Sequence, residues 1–338
     1  MVPTTKPLSS GRRESFGVLI LLGTTVVWGT TFLVMAKALT SFTVGWLMAV
    51  RFALAALCLA PFALRQPSRL RRALWPGTLI GVLAFVGFTL QVDSLRYTTQ
   101  AHCAFGTSLI TVFVPLLGAL VLGRRLLPST WLALVCALLG MAGLVGGELL
   151  LPVPAAGALT PQGMLVGDLL AVASALGFAA QILLIERVAG RAPLLELVFV
   201  QVVCVCLLSL VTALASGEPW PTPTPSSLWS MAYLGVIATA GCLLGQMFGQ
   251  ARTSATRAAF IYALEPTFAA SLAWAFDGEA LGAVELCGGA LLTLAAAVAE
   301  RPSPRLGRAK KPPPAPPPAA HPPGAHDGGQ APRPPADG

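Results

Sequence analysis

Charged residues are scarce in this sequence of 338 residues, since Asp, Glu, Lys and Arg together make up only 11% of it. A soluble domain typically carries about 25% charged residues. Hydrophobic residues account for 55% of the chain and lie in long runs. Runs of this length are typical of membrane-spanning helices rather than of the strands of a barrel. The composition therefore excludes a soluble globular protein.

Motifs for several kinds of chemistry are also missing. The seven cysteines all lie in apolar segments, without a CxxC motif or a Cys/His spacing typical of metal ligands. The sequence contains no HExxH, no GxSxG, no paired intramembrane aspartates and no nucleotide-binding P-loop. We therefore predict no catalytic residue, no metal site and no direct use of ATP, and an intramembrane enzyme is only a distant alternative.

Ten apolar runs approach or reach the roughly 20 residues that a helix needs to cross a bilayer. They predict an all-α integral membrane protein with spans at 16–38, 44–64, 73–92, 101–122, 130–147, 164–185, 194–215, 228–249, 258–276 and 280–299. The chain after residue 300 is rich in Pro, Ala and Gly, and we expect a disordered tail there.

Basic residues alternate from loop to loop. They cluster in Lys6, Arg12, Arg13; Arg65, Arg69, Arg71, Arg72; Arg124, Arg125; Arg187, Arg191; Arg252, Arg257; and Arg301, Arg305, Arg308, Lys310, Lys311. The intervening loops contain only Arg96, with Lys37 at the end of the first span. Cytoplasmic loops of membrane proteins are enriched in Lys and Arg, so both termini should be cytoplasmic. The net charge of +8 is thus explained by topology, and no nucleic-acid partner is predicted.

The two halves of the chain are similar to each other. A shift of 150 residues aligns Trp28 with Phe178 and Arg51 with Gln201, and a shift of 155 aligns His102 with Arg257. Each half has five spans, and an odd number inverts the second half relative to the first. Inverted repeats are a recurrent plan of secondary transporters, with the binding site near the middle of the membrane. We divide the chain into an N-terminal cytoplasmic segment (1–15), a first repeat (16–147), a periplasmic linker (148–163), a second repeat (164–300) and a cytoplasmic tail (301–338).

A carboxylate lies in the middle of the ninth span, where Glu265 is followed by Pro266. A charge at this depth is costly and usually faces a cavity or a partner. Pro266 has no backbone N–H, so the helix should kink and leave the carbonyl of Tyr262 without its helical donor. These features favour a functional centre in which Glu265 binds a proton or an ammonium group. The alternative is a protonated Glu265 that only packs against a neighbouring helix.

These residues resemble the drug/metabolite transporter superfamily and, within it, the bacterial ten-helix proteins built of two EamA domains. The resemblance covers about residues 17–299, and its marks are Trp28-Gly29, Arg51-Phe52, Glu265-Pro266 and Asp277-Gly278-Glu279. The first half departs from the family pattern, because Thr111 stands where the family often has Pro. The resemblance implies export or exchange of small metabolites such as amino acids, or of toxic compounds, across a bacterial inner membrane, with no tightly bound cofactor.

Arg51 lies about 10 Å below the outer end of the second span. Its guanidinium could bind a substrate carboxylate, or it could extend to the lipid headgroups instead. Because the side chains of Arg51 and Glu265 should tilt apart, we expect them at two ends of one path rather than in an ion pair.

Further polar and aromatic residues within the spans are candidates for the transport path. They are Trp28, Thr31, Tyr262, Gln91, Gln181, Gln201 and Gln246. Packing against other helices is an alternative for Trp28, and hydrogen bonding between helices is one for the glutamines. His102 at the start of the fourth span is interpreted as a solvated interfacial residue.

The sequence therefore predicts a secondary transporter, most simply an exporter, with a small-molecule substrate and a lipid bilayer around it. Proton coupling through Glu265 is one hypothesis for its energy source. A lipid or lipid-carrier translocase is the alternative function. Glycines at four-residue spacing in the third and eighth spans predict close helix packing, and a homodimer face is the alternative interpretation.

Overall fold

The computed structural model describes residues 10–98, 100–124, 126–150, 161–269, 271 and 283–299, and these residues form helices joined by short connections. The helices are α1 (Ser10–Gly29), α2 (Thr31–Ala38), α3 (Val44–Ala63), α4 (Pro67–Ser94), α5 (Gln100–Ser108), α6 (Ile110–Leu122), α7 (Pro128–Leu150), α8 (Pro161–Val188), α9 (Leu194–Ala215), α10 (Pro225–Ala232), α11 (Cys242–Gln250), α12 (Ala255–Tyr262) and α13 (Ala283–Ala299). A π-helical segment (Tyr233–Gly241) joins α10 to α11, and residues 265–269 are also helical.

Seven helical stretches in the described residues are long and apolar enough to cross a membrane. They are Glu14–Ala38, Val44–Ala63, Pro67–Ser94, His102–Leu122, Gln162–Val188, Leu194–Ala215 and Pro225–Gln250. They coincide with predicted spans one to four and six to eight, which confirms an all-α integral membrane fold. The ninth and tenth predicted spans extend into residues outside the described ranges, so the count of ten stays a prediction.

The contacts between helices follow the internal repeat. Helix α4 packs against α8 and α9, and the aligned eighth span packs against α1 and α3 in the same way. Helix α3 packs against its repeat mate α9, and α7 packs against α13. The repeat seen in the sequence is therefore also present in the packing.

Small residues set the distance between crossing helices. A Cβ atom added at Gly81 of α4 would lie 2.6 Å from the Cβ of Cys204 on α9. A Cβ atom added at Gly249 of α11 would lie 2.5 Å from the Cγ of Leu21 on α1. The glycine stripes thus serve contacts within the chain at these two positions.

Several spans are interrupted rather than continuous. The first breaks at Thr30, between α1 and α2, and the fourth breaks at Leu109, between α5 and α6. The ninth breaks at residues 263–264, directly before Glu265 and Pro266. A helix broken inside a membrane leaves backbone polar groups that other residues must satisfy. We therefore expect other residues to bind free backbone groups at these three breaks.

The glycines of the eighth span provide a stability test. Gly249→Ala should lower the free energy of unfolding by about 1–3 kcal/mol, because the new methyl group overlaps Leu21. Gly241→Ala is the matched control, since its nearest neighbour outside the local backbone is the Val236 carbonyl oxygen at 3.6 Å. The control should be neutral or raise stability by up to about 1 kcal/mol through helix propensity. Thermal unfolding in detergent measures both, and equal effects would contradict the packing described.

Candidate functional site

A cavity lies where the interrupted spans meet, and eight of the residues proposed from the sequence line it. They are Trp28, Thr31, Arg51, Gln91, Gln181, Gln246, Tyr262 and Glu265. Five further lining residues were not proposed from the sequence: Phe88, Thr107, Ile110, Phe178 and Ile182. Most of these are apolar and have no feature in the sequence that separates them from ordinary core residues. Phe178 is the exception, since it aligns with Trp28 in the repeat.

Arg51 is held deep inside the protein. Its side chain is 2% exposed, so it does not extend to the lipid headgroups as the alternative interpretation had it. Its Nε donates a hydrogen bond to Thr239 Oγ1 at 2.6 Å, and one terminal nitrogen lies 3.3 Å from Met35 Sδ. The guanidinium carbon is 5.2 Å from the centre of the Phe88 ring. These contacts fix the orientation of a guanidinium that faces the cavity.

The π-helical segment provides the contacts that hold this side of the cavity. Thr239 Oγ1 donates to the carbonyl of Leu234, five residues earlier, at 2.7 Å while it accepts from Arg51. Trp28 Nε1 donates to the carbonyl of Ala238 at 3.1 Å. The hydroxyl of Tyr233 is hydrogen bonded to Thr30, at the break in the first span. A π-turn often marks a functional site, and no sequence pattern considered above predicts this one.

Glu265 lies directly after the break in the ninth span and is half-buried at the cavity. A Cβ atom added at Gly29 would lie 3.2 Å from the Glu265 carbonyl oxygen and 3.1 Å from the Ala269 backbone nitrogen. The Trp28-Gly29 pair therefore packs directly against the Glu265-Pro266 segment. Gly29 allows this approach because it lacks a side chain.

Arg51 and Glu265 line the same cavity, although the side-chain tilts had suggested two separate ends of a path. Among the described residues they are not joined by an ion pair within 4 Å. The reason is that the ninth span breaks at residues 263–264, directly before Glu265, so depth along a straight helix does not predict where this side chain meets Arg51 of the continuous helix α3. The cavity thus brings together one guanidinium and one carboxyl group.

Aromatic rings and amides form the rest of the wall. Trp28 packs on Tyr262 with ring centres 5.4 Å apart, and Phe88 packs edge-on against Phe178 at 4.9 Å. Gln181 is 1% exposed, and its Nε2 has no hydrogen-bond partner in the described part of the protein. A buried amide donor that faces a cavity is available to a ligand.

Gln201 lies apart from this cavity. It is fully buried on α9, and both its amide atoms lack a hydrogen-bond partner among the described residues. Its backbone carbonyl oxygen would lie 3.1 Å from a Cβ atom added at Gly81 of α4, so α9 packs closely on α4 at this residue. The structure therefore separates Gln201 from the other proposed site residues.

Two other groups of residues depart from the sequence interpretation or lie beyond the structure. His102 is 9% exposed and contacts Asp168, so it is not a solvated interfacial residue. Asp168 was overlooked, although a charged residue within the predicted sixth span was a usable signal. Asp277, Gly278 and Glu279 lie outside the described residues.

Comparison with known proteins gives concordant results. A model of the EamA-like transporter family matches residues 15–146 and 165–300, which confirms the resemblance seen in the sequence. An uncharacterized transporter from Archaeoglobus fulgidus is 27% identical over 287 residues, which cover 85% of this chain and 86% of that protein. The chain also superposes on a crystal structure whose description names a protein without a function. The TM-score is 0.69 at 22% identity, and the match covers 85% of this chain and 96% of the other. The last likeness concerns the fold alone.

The two buried glutamines test which residues belong to the cavity. Gln201→Leu should raise the free energy of unfolding by about 1–3 kcal/mol, since it removes unpaired polar atoms, and should leave uptake of substrate unchanged. Gln181→Leu is the matched comparison and should reduce uptake, because this amide faces the cavity. Thermal unfolding and vesicle uptake measure the two effects. Loss of uptake in a well-folded Gln201→Leu protein would show that Gln201 belongs to the transport path after all.

Proposed function

Since this chain belongs to the EamA-like transporter family, we propose that it is a secondary transporter that exports small metabolites, amino acids or related compounds above all, by alternating access. The single observation that carries the proposal is the cavity that Arg51 and Glu265 both line without forming an ion pair with each other within 4 Å. A desolvated charge without a partner is costly. A ligand that carries both a carboxylate and an ammonium group would satisfy both.

Arg51 is suited to the carboxylate of such a ligand. Its guanidinium presents donors in a planar fork that matches the two oxygens of a carboxylate. Its Nε already donates to Thr239 and one terminal nitrogen contacts Met35 Sδ, so the remaining terminal N–H groups would be the donors to a ligand. Trp28 and Phe88 then provide apolar surfaces for the body of the molecule, and Gln181 provides a hydrogen-bond donor.

Glu265 would bind the ammonium group or, in turn, a proton. A carboxylate that exchanges these two cations couples the export of one to the entry of the other. The break at residues 263–264 and the contact with Gly29 place Glu265 between two segments that are not regular helix. Such discontinuous helices at the middle of a membrane are where transporters commonly bind substrates and coupling ions.

The membrane orientation follows from the distribution of basic residues. We propose a bacterial inner membrane, with both termini in the cytoplasm, because Lys and Arg cluster in alternate connections. The two repeats would then rock around the cavity and open it to one side at a time.

Uptake into inside-out vesicles, with and without an imposed proton gradient, tests the proposal on a panel of amino acids, amines and cationic dyes. Glu265→Gln should lower gradient-driven uptake by about 30-fold or more, because a lost contact to a buried charge is worth ~2 kcal/mol or more. Glu196→Gln is the matched control, since Glu196 is 3% exposed at the start of α9 and outside the cavity. It should retain wild-type uptake.

The remaining outcomes are also informative. Gradient-driven uptake that survives in Glu265→Gln would make Glu265 a packing residue and contradict the coupling role. Uptake of amines but not of amino acids would contradict the carboxylate role of Arg51. If none of these compounds is taken up, and labelled phospholipid is translocated instead, the proposed substrate class is wrong.

A further inference from the structure

A row of buried polar side chains leads away from the cavity between α4, α5 and α8. Gln91 and Thr107 line the cavity, and Gln91 Nε2 donates to Thr107 Oγ1 at 3.4 Å. The Thr107 hydroxyl lies 3.4 Å from that of Ser174. Ser94 donates to the Gln91 carbonyl at 2.7 Å and also contacts Cys103 at 2.9 Å. Polar residues within a membrane span are costly and commonly mark a pathway.

The row ends at a carboxylate that is partly open to the surroundings. Thr98 Oγ1 donates to Asp168 Oδ1 at 2.7 Å, and His102 Nδ1 lies 3.1 and 3.2 Å from the two carboxylate oxygens. His102 is 9% exposed, whereas the side chain of Asp168 is 38% exposed. Gly167 permits this closure, because a Cβ atom there would lie 2.7 Å from the Cβ of Thr98.

The opposite side of the cavity is closed in a different manner. Apolar residues of α1, α6, α8 and α12 form a buried cluster there that includes Leu21, Val114 and Ala259. Two ion pairs lie at the same end of the helices, Arg257 with Glu14 and Arg124 with Glu186. Glu186 also accepts a hydrogen bond from the backbone N–H of Ala255 at the start of α12.

The two closures are related by the internal repeat. His102 at the start of the fourth span aligns with Arg257 at the start of the ninth. His102 contacts the start of the sixth span, and Arg257 contacts the start of the first span, which is the mate of the sixth. The two repeats therefore make corresponding contacts at opposite ends of the helices. One repeat uses a His–Asp pair and the other uses an Arg–Glu pair.

We propose that the polar row is the outer half of the transport path and that Asp168, held by Thr98 and His102, is the gate at its mouth. The inference rests on the proposed function for its direction. Hydroxyl and amide groups along the row replace the hydration of a small polar solute as it passes. The Nδ1 atom of His102 donates to the carboxylate when the ring carries a proton on that nitrogen, as one neutral tautomer does.

Native Cys103 reports on the gate, because it is fully buried and lies in the row beside Ser94. The full-length protein in intact cells is treated with a membrane-impermeant methanethiosulfonate, and labelling of Cys103 is followed by peptide mass spectrometry. Asp168→Ala should speed labelling by about tenfold or more, since the gate loses its hydrogen bonds to a carboxylate. Thr98→Val should change the rate in the same direction by a smaller factor. Cys204, which packs against Gly81 outside the row, should keep its wild-type rate.

Glu218→Ala is the matched control for the gate. Glu218 is likewise held by a threonine, Thr43, and by the backbone N–H of Gly45, but it lies outside the row. An unchanged Cys103 rate in Asp168→Ala would overturn the proposal, and so would equal acceleration in Glu218→Ala, which would indicate general loosening. If labelling became faster only in inverted vesicles, the row would open to the cytoplasmic side, and its assignment to the outer half of the path would be wrong. The readout needs no substrate, so a failure of the gate is distinguishable from a failure of the proposed export function.

Discussion

The need to satisfy every backbone polar group within a bilayer governs the architecture of the cavity. Where the first and eighth spans depart from regular α-helix, side chains of the same or of another span bind backbone carbonyls there. Trp28 binds the Ala238 carbonyl, and Thr239 binds the Leu234 carbonyl. Since Thr239 also accepts from Arg51, the same irregular segment satisfies its own backbone and orients the buried cation. The cavity exists because these interruptions meet.

The internal repeat supplies the scaffold but not the chemistry of the site. The breaks at Leu109 and Leu264 occur at aligned positions, although Thr111 stands in the first half where Pro266 stands in the second. Proline is therefore not required for the break. The ionisable groups of the cavity, in contrast, occur once: Arg51 aligns with Gln201, which is buried on α9 and does not line the cavity. A nearly symmetric framework thus carries a site with a guanidinium from one repeat and a carboxyl group from the other.

The sequence was sufficient for those features that depend on composition and spacing. Long apolar runs predicted the spans that the structure describes, because only a helix or a closed barrel is tolerated in lipid. Polar residues inside spans predicted much of the cavity lining. Features that depend on tertiary contact could not be predicted: the π-helical segment, the role of Thr239, and the pairing of His102 with Asp168. Phe88, Ile110 and Ile182 were missed because an apolar residue at a cavity has the same sequence pattern as one in a core.

The burial of Arg51 has a consequence for the order of biosynthesis. Its hydrogen-bond partner Thr239 lies 188 residues later in the chain. At a typical rate of 5–20 residues per second, the ribosome takes roughly 10–40 s to reach that residue. During that interval α3 is in the membrane with its charge unsatisfied by Thr239, and extension of the long side chain to the lipid headgroups is the arrangement open to it. The native position of Arg51 is therefore completed only when the second repeat arrives, so the first repeat depends on the second for its final structure.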